Sequence, residues 1–260
     1  MMRLSDRVAI VTGAGGGLGA VYARTLAREG ATVVAVDIKA EGAEQTARTL
    51  QAEGARASAF AGDLTNPEQV DRMVSYCLSN HGRIDILVNN AGGDPGGGGT
   101  NLIEQVDVAH WDMIIAANLK TAFLCCRAVA GPMKRQGYGK IVNVSSRAAR
   151  STGWFGAVSP EYSCAKAGVL ALTRHVAKEL GPHGINVNCL VPSFTISGPA
   201  LQKNWDEMTA QERETMLAQT PLRRLPRPEE NANVVLFLVS DDSSYISGAA
   251  IDVNGGSFMA

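Results

Sequence analysis

Short apolar runs rich in β-branched residues recur along the chain: VAIV (8–11), TVVAV (32–36), ASAFA (57–61), IDILV (84–88), KIVNV (140–144), INVNCLV (185–191) and AAIDV (249–253). Most are continuous rather than alternating, the pattern of strands covered on both faces. Between them lie longer segments with helical rhythm, near 18–29, 41–53, 103–133 and 161–180. Strands that alternate with helices are joined by right-handed crossovers. The pattern therefore predicts an α/β fold, a doubly wound parallel sheet of seven strands with helices on both faces. Two linked halves, the second beginning at Ile84, open a ligand crevice at the carboxyl ends of the strands, where the winding direction reverses.

At 260 residues the chain suits one larger α/β domain. No Pro/Ser-rich linker divides it, so a single domain over 1–260 is expected. Composition narrows the function. The charges, 24 Lys plus Arg against 25 Asp plus Glu, give 24 − 25 = −1, leaving no basic surplus for nucleic acid or anionic lipid. Contiguous apolar runs such as 8–11 and 234–239 fall far short of the roughly 20 residues that span a bilayer. The first apolar run is too short for a signal peptide and breaks into glycines. A cytoplasmic protein without membrane or nucleic-acid partners is the expectation. Five cysteines without a CxxC pair read as reduced, mostly buried thiols. The scattered His81, His110, His175 and His183 offer no zinc-binding spacing, so no metal is expected.

The chemistry begins at TGAGGGLG (12–19), which follows the first strand and opens the first helix. Gly13, Gly16, Gly17 and Gly19, with Leu18 among them, allow a tight turn whose backbone approaches a pyrophosphate at the helix amino terminus. A P-loop is excluded because no Gly-Lys-Ser/Thr follows. Asp37 ends the second strand, where a carboxylate accepts both ribose hydroxyls of adenosine and repels a 2′-phosphate, favouring NAD over NADP. Ile38 supplies no cation beside it; Lys39 is the one residue that would soften this preference. Alternatively, Asp37 only caps the next helix. Asp63 and Leu64 follow the third strand, and Asn89, Asn90, Ala91 and Gly92 the fourth. Asp63 can accept from an adenine amino group, and small residues at 91 and 92 let backbone lie close to a cofactor. Both segments read equally well as turn chemistry.

Tyr162 and Lys166 stand one helical turn apart and share a face. A tyrosine is a poor base near neutral pH, but a neighbouring ammonium stabilises tyrosinate. Ser146, at the end of the fifth strand, can hold a substrate oxygen by a hydrogen bond; Ser145 beside it competes for that role.

Taken together, Thr12, Gly13, Gly17 and Gly19 as TGxxxGxG, Asn89 to Gly92 as NNAG, Asn118, Ser146, Tyr162 and Lys166 as YxxxK, and the late PLRRLPRPEENANVVLFLVSD and VNGG segments resemble the short-chain dehydrogenase/reductase family over about 5–257. The resemblance implies a Rossmann-type fold. It makes Tyr162 the acid/base and Ser146 the substrate-orienting group. Lys166 would bind the nicotinamide ribose and lower the tyrosine pKa, and Asn118 would anchor a relay water. It implies cofactor contacts after the sixth strand at Pro192 and Thr195, and a homotetramer paired through the helices near 103–133 and 161–180 and the carboxyl-terminal segments.

The implied activity is NAD-dependent interconversion of a small secondary alcohol and a ketone. A 3-oxoacyl-[acyl-carrier-protein] reductase is the alternative. It ranks second because such enzymes usually prefer NADP and present a basic docking patch, whereas Asp37 favours NAD and His183 stands where an arginine often occurs. A non-enzymatic NAD-binding redox sensor is the alternative of another class. The complete set Asn118, Ser146, Tyr162 and Lys166 argues against it.

The chain departs from many relatives in three places. Residues 147–161 form a slightly longer stretch carrying Arg147, Arg150, Trp154 and Phe155. Pro192-Ser193 replaces the usual Pro-Gly, which puts the local turn geometry in question, and Ser197 replaces a frequent threonine. DPGGGG (94–99) adds a loop that reads as plain surface or as a substrate lid. Residues 194–220 are the expected substrate cover, in which Leu201, Trp205, Met208 and Met216 either close over an apolar substrate or pack the core. Gly93, Arg147, Trp154, Phe155 and Trp205 are the candidate substrate contacts; Arg147 or Arg150 can pair with a substrate carboxylate or phosphate.

Overall fold

All seven apolar runs form strands: β1 (Val8–Thr12), β2 (Thr32–Asp37), β3 (Ala57–Ala61), β4 (Ile86–Asn89), β5 (Gly139–Val144), β6 (Ile185–Pro192) and β7 (Ala250–Val253). The computed structural model describes residues 2–93, 102–151 and 159–259; the 94–99 loop, Trp154 and Phe155 lie outside them. The strands make one parallel sheet in the order β3-β2-β1-β4-β5-β6-β7. Winding therefore reverses between β1 and β4, which fixes the crevice of such a sheet at their carboxyl ends.

The helices are α1 (Gly17–Arg28), α2 (Ala40–Ala52), α3 (Pro67–His81), α4 (Val108–Ile115), α5 (Thr121–Gln136), α6 (Pro160–Leu180), α7 (Pro199–Glu207), α8 (Ala210–Ala218) and α9 (Pro228–Val239). Strand residues alternate between two buried layers. Ala9, Val11, Val33, Ala35 and Val88 pack with Tyr22 and Leu26 of α1 and Val235 of α9. Ile10, Val34, Val36 and Leu87 pack with Met73 of α3, Val129 of α5 and Leu180 of α6. Burial on both faces explains why the strands read as continuous apolar runs.

The helical stretch expected at 103–133 is interrupted. A 3-10 turn (Ile103–Gln105) precedes α4, and a π-helical turn (Ala116–Lys120) separates α4 from α5. Asp107 starts α4 by accepting from the His110 amide at 3.0 Å. At the π turn the Thr121 hydroxyl donates to the Ala117 and Ala116 carbonyls at 2.6 and 2.9 Å, satisfying acceptors that the wider turn releases. The contiguous apolar runs are short, yet the joined run Val108–Gln136 is long and apolar enough to cross a bilayer by length and composition. In the fold, its α5 portion packs on α3 and its α4 portion on α6.

Candidate active site

The glycine turn is held from β4. Thr12 Oγ1 donates to the Val88 carbonyl at 3.2 Å and accepts from the Asn90 and Ala91 amides, each at 3.0 Å. Asn90 Nδ2 donates to the carbonyls of Thr12 at 3.0 Å and Gly13 at 3.2 Å. Gly13 adopts φ +63°, and a Cβ at Gly19 would run into the Gly13 carbonyl oxygen, so side chains are excluded at both positions. Gly16, Gly17 and Leu18 border open space beyond the turn.

Asp37 faces this turn. Its Oδ2 accepts from the Gly15 amide and its Oδ1 from the Lys39 amide, both at 2.9 Å. Helix α2 has Lys39 as its N-cap, without a capping side chain. Asp37 is thus no helix cap; it links the end of β2 to the glycine loop. Gly15 is a partner that the sequence analysis passed over, although its place inside GAGGG was the available signal. Ile38 is 68% exposed. Asp63 Oδ1 accepts from the Thr65 amide at 2.9 Å and hydroxyl at 2.7 Å, which is turn chemistry, and Leu64 is buried.

A cleft of about 660 Å³ opens at the switch point. Gly13, Gly16, Gly17, Leu18, Asn90, Gly92 and Gly93 line it, together with Ser145, Ser146, Arg147, Tyr162, Lys166, Pro192 and Thr195. Gly19, Asp37, Ile38, Asp63, Leu64, Ala91, Asn118 and Trp205 do not line it.

The structure separates the two serines. Ser145 is 2% exposed and its hydroxyl donates to the Lys166 carbonyl at 2.7 Å, tying β5 to α6. Ser146 is half-buried; its Oγ accepts from the Ala148 amide at 3.2 Å at the start of the 3-10 turn Arg147–Ala149.

Lys166 is 4% exposed. Its Nζ donates to the Val144 carbonyl at 3.1 Å and lies 5.6 Å from the centroid of the Tyr162 ring, as one helical turn requires. Asn118, on the π turn, is buried with Nδ2 donating to the Gly93 and Ile114 carbonyls at 2.7 and 2.9 Å and Oδ1 accepting from the Gly93 amide at 2.8 Å. Its side chain thus pins the loop after β4 rather than entering the cleft. At Gly92, φ +146° and a Cβ position 2.5 Å from Asn118 Oδ1 leave room for no side chain.

Burial pushes the Lys166 ammonium down to about 8 from its usual 10.5. Between those values the unfolded chain binds more protons than the folded one, so stability rises with pH across that window. Lys166→Met is expected to abolish a rise on the order of 3 kcal/mol. Urea midpoints of variant and parent across the window check this; parallel profiles would show that burial does not disfavour the ammonium.

After β6, Thr195 is buried; its Oγ1 donates to the Ser193 carbonyl at 3.0 Å and accepts from Asn231 Nδ2 at 3.2 Å. Among the described residues only Asp6 and Arg223 are non-glycine positions with positive φ, so Ser193 replaces a glycine without left-handed strain.

The cover also differs from expectation. Leu201 and Phe194 line the cleft, but Trp205 stacks on Phe194 at 6.5 Å with Arg213 5.3 Å from its ring, outside the lining. Met216 is buried as core. Arg150 pairs with Asp252 at 3.1 Å, and Arg147 lines the cleft. Phe194, Ser197 and Ser159 are lining residues that the sequence analysis did not single out as site residues. Buried Glu161 has no counterpart among the sequence expectations; its Oε1 lies 2.8 Å from His110 Nδ1 and joins the first turn of α6 to α4. Among the described residues no group of His, Cys, Asp and Glu could hold a metal ion.

A family model described as enoyl-(acyl carrier protein) reductase matches residues 13–257. The chain is 41% identical over 256 residues to the (2S)-[(R)-hydroxy(phenyl)methyl]succinyl-CoA dehydrogenase subunit BbsD of Thauera aromatica, covering 98% of each. It is 37% identical to the 3-oxoacyl-[acyl-carrier-protein] reductase FabG of Thermotoga maritima, covering 98% of this chain and 99% of that protein. Among solved structures, levodione reductase superposes with TM-score 0.89 at 33% identity, covering 98% of each chain. A 7α-hydroxysteroid dehydrogenase complexed with NADH and 7-oxo glycochenodeoxycholic acid superposes at 0.88 and 34%, covering 98% of this chain and 95% of that one. Matches of this extent, on a sheet with this strand order and cleft, place the chain in the short-chain dehydrogenase/reductase family, oxidoreductases whose Rossmann-type fold binds a nicotinamide cofactor.

Proposed function

We propose that the protein interconverts a secondary alcohol and a ketone with NAD as the hydride carrier. The observation that carries this reading is the meeting of Ser146, Tyr162 and Lys166 in the cleft that the glycine turn borders. The residues fit a dinucleotide: a Cβ at Gly16 would meet nothing within 4 Å, and Asp37 stands across the turn at the end of β2. Gly13, Gly16, Gly17 and Leu18 would hold the pyrophosphate, and Asp37 the adenosine ribose. Lys166 would hold the nicotinamide ribose, and Thr195 the carboxamide through its backbone.

When bound, NAD would supply the acceptor for the hydride of the carbinol carbon. Ser146 Oγ orients the alcohol by a hydrogen bond, and Tyr162 takes the hydroxyl proton as general base. Below about pH 8 Lys166 keeps its charge and stabilises tyrosinate through space. Asn118 fixes the Gly92–Gly93 backbone beside Lys166 and so keeps that wall of the cleft in place. The segment 194–220, through Phe194 and Leu201, forms the cover over the substrate side.

NADH absorbance with a panel of secondary alcohols, polyols, hydroxysteroids and β-hydroxyacyl thioesters, run with NAD and NADP in parallel, tests the reading. Turnover confined to NADP would overturn the cofactor assignment. The acyl-carrier-protein reductase reading draws on the Thermotoga relative and predicts thioester activity with NADPH instead.

We place the enzyme in the cytoplasm as a homotetramer. Exposed Met113 and Phe123 on the α4–α5 run are the apolar surface that pairing would cover. Sedimentation as a monomer would remove that assignment.

A further inference from the structure

Ser159 brings to the cleft a hydroxyl that alcohol oxidation by Ser146, Tyr162 and Lys166 leaves unused. The residue directly precedes α6, is 6% exposed and lines the cleft together with Tyr162 and Lys166. A serine in this N-cap position usually accepts from an amide of the first helical turn. Ser159 makes no such bond. Among the described residues none pairs with its hydroxyl, and the oxygen is not sealed in the interior as that of Ser163, one turn further on, is. What stays open of this side chain therefore faces the cleft. Other hydroxyls there are engaged: Ser145 donates to the Lys166 carbonyl, and Thr195 bonds the Ser193 carbonyl and Asn231.

We propose that Ser159 is a specificity-determining residue, and that the alcohol oxidised carries a second oxygen, two or three carbons from its carbinol carbon, that hydrogen-bonds to Ser159 Oγ. This rests on the alcohol-dehydrogenase reading and deepens it. Ser159, Tyr162 and Lys166 stand at i, i+3 and i+7 and share one face at the leading end of α6. Lys166 holds the cofactor end of that row, beside Gly92 and the Val144 carbonyl. Ser159 holds the other end, beyond Tyr162, where the substrate leads away from its reacting carbon. The tyrosine side chain is much longer than the serine, so the phenol oxygen reaches deeper into the cleft. A group on the carbinol's immediate neighbour is therefore too near the phenol, and one two or three carbons along spans the gap. When substrate displaces water from the cleft, a hydroxyl left without a partner costs binding, and one that meets a substrate oxygen gains it. A β- or γ-oxygenated alcohol is thus favoured over a hydrocarbon alcohol of the same length.

Two measurements test the proposal separately from the activity. In turnover with NAD, methyl β-hydroxybutyrate is compared with hexan-2-ol, the hydrocarbon alcohol of equal length. The parent enzyme should prefer the ester in kcat/KM, and Ser159→Ala should lower the ester-to-hydrocarbon ratio about 3- to 10-fold, the range for loss of one neutral hydrogen bond. The alanine removes no cap bond, because the serine makes none. Ser159→Thr, which keeps the hydroxyl, should keep most of the preference. Without turnover, the same two alcohols are titrated against the NADH complex, which holds no hydride acceptor, through the fluorescence of bound NADH. NADH affinity is the check on folding. Tighter binding of the ester to the parent, lost in Ser159→Ala and kept in Ser159→Thr, supports the proposal. No preference for the ester in the parent, or a ratio that Ser159→Ala leaves unchanged, overturns it. A ratio that Ser159→Thr lowers as far as Ser159→Ala does also overturns it, because the effect then comes from local packing and not from the hydroxyl. Absence of NADH formation with every alcohol would overturn the activity instead, and the titration would still decide the role of Ser159.

Discussion

Tyr162→Phe is expected to lower kcat for alcohol oxidation about 1,000-fold, within the range for loss of a general acid/base, with NADH affinity changed little. The variant keeps the ring, whose centroid lies 5.6 Å from Lys166 Nζ in the parent. What is lost is the oxygen that takes the substrate proton. Without it the hydroxyl proton of the substrate loses its acceptor, and hydride loss from the carbinol carbon would leave a protonated carbonyl. Ser146 Oγ already accepts from Ala148 and has no ammonium one helical turn away. Stopped-flow rates with saturating NAD and single-turnover amplitudes check the result. Unchanged turnover would remove Tyr162 from the mechanism. If the parent protein binds NADH but oxidises nothing, the sensor reading gains instead.

The second large effect concerns cofactor choice. Asp37→Ala is expected to shift the NAD-to-NADP ratio of kcat/KM about 100-fold towards NADP, because like charges brought together cost several kcal/mol. The carboxylate sits at the end of β2 with one oxygen on the Gly15 amide and the other on the Lys39 amide. An adenosine 2′-phosphate would meet that negative charge directly. Removing it also frees the Gly15 amide, so NAD itself should bind less well, and part of the shift comes from that loss. Parallel kinetics with both cofactors, together with fluorescence titrations of NADH and NADPH, separate the two contributions. A ratio that does not move would show that another residue sets the preference, with Lys39 next in line.

Each later finding concerned a choice that local spacing leaves open. Ser145 and Ser146 are equivalent in sequence, and only the approach of α6 to the end of β5 commits the first to the Lys166 carbonyl. Asp37 reads as a helix cap or as a cofactor ligand, and only the fold shows that Lys39 is the N-cap of α2 and that Asp37 accepts from the Gly15 amide. Trp205 has the apolar character of a substrate contact, yet the packing of Phe194 and Arg213 holds it outside the cleft lining. The continuous rhythm over 103–133 gives no sign of the π turn that carries Asn118, because widening a helix by one residue preserves its composition.

The chain by itself determined the features that depend on neighbours a few residues away. Two-sided burial demands continuous apolar strands, a turn at φ +63° demands glycine at position 13, and the helical period places Tyr162 and Lys166 on one face. Tertiary structure decided which of several competent side chains are committed elsewhere: Ser145 to the Lys166 carbonyl, Arg150 to Asp252, and Trp205 to Phe194 and Arg213. Those meetings depend on the packing of elements distant in sequence, and side-chain contacts at that range follow from the whole core rather than from any local pattern.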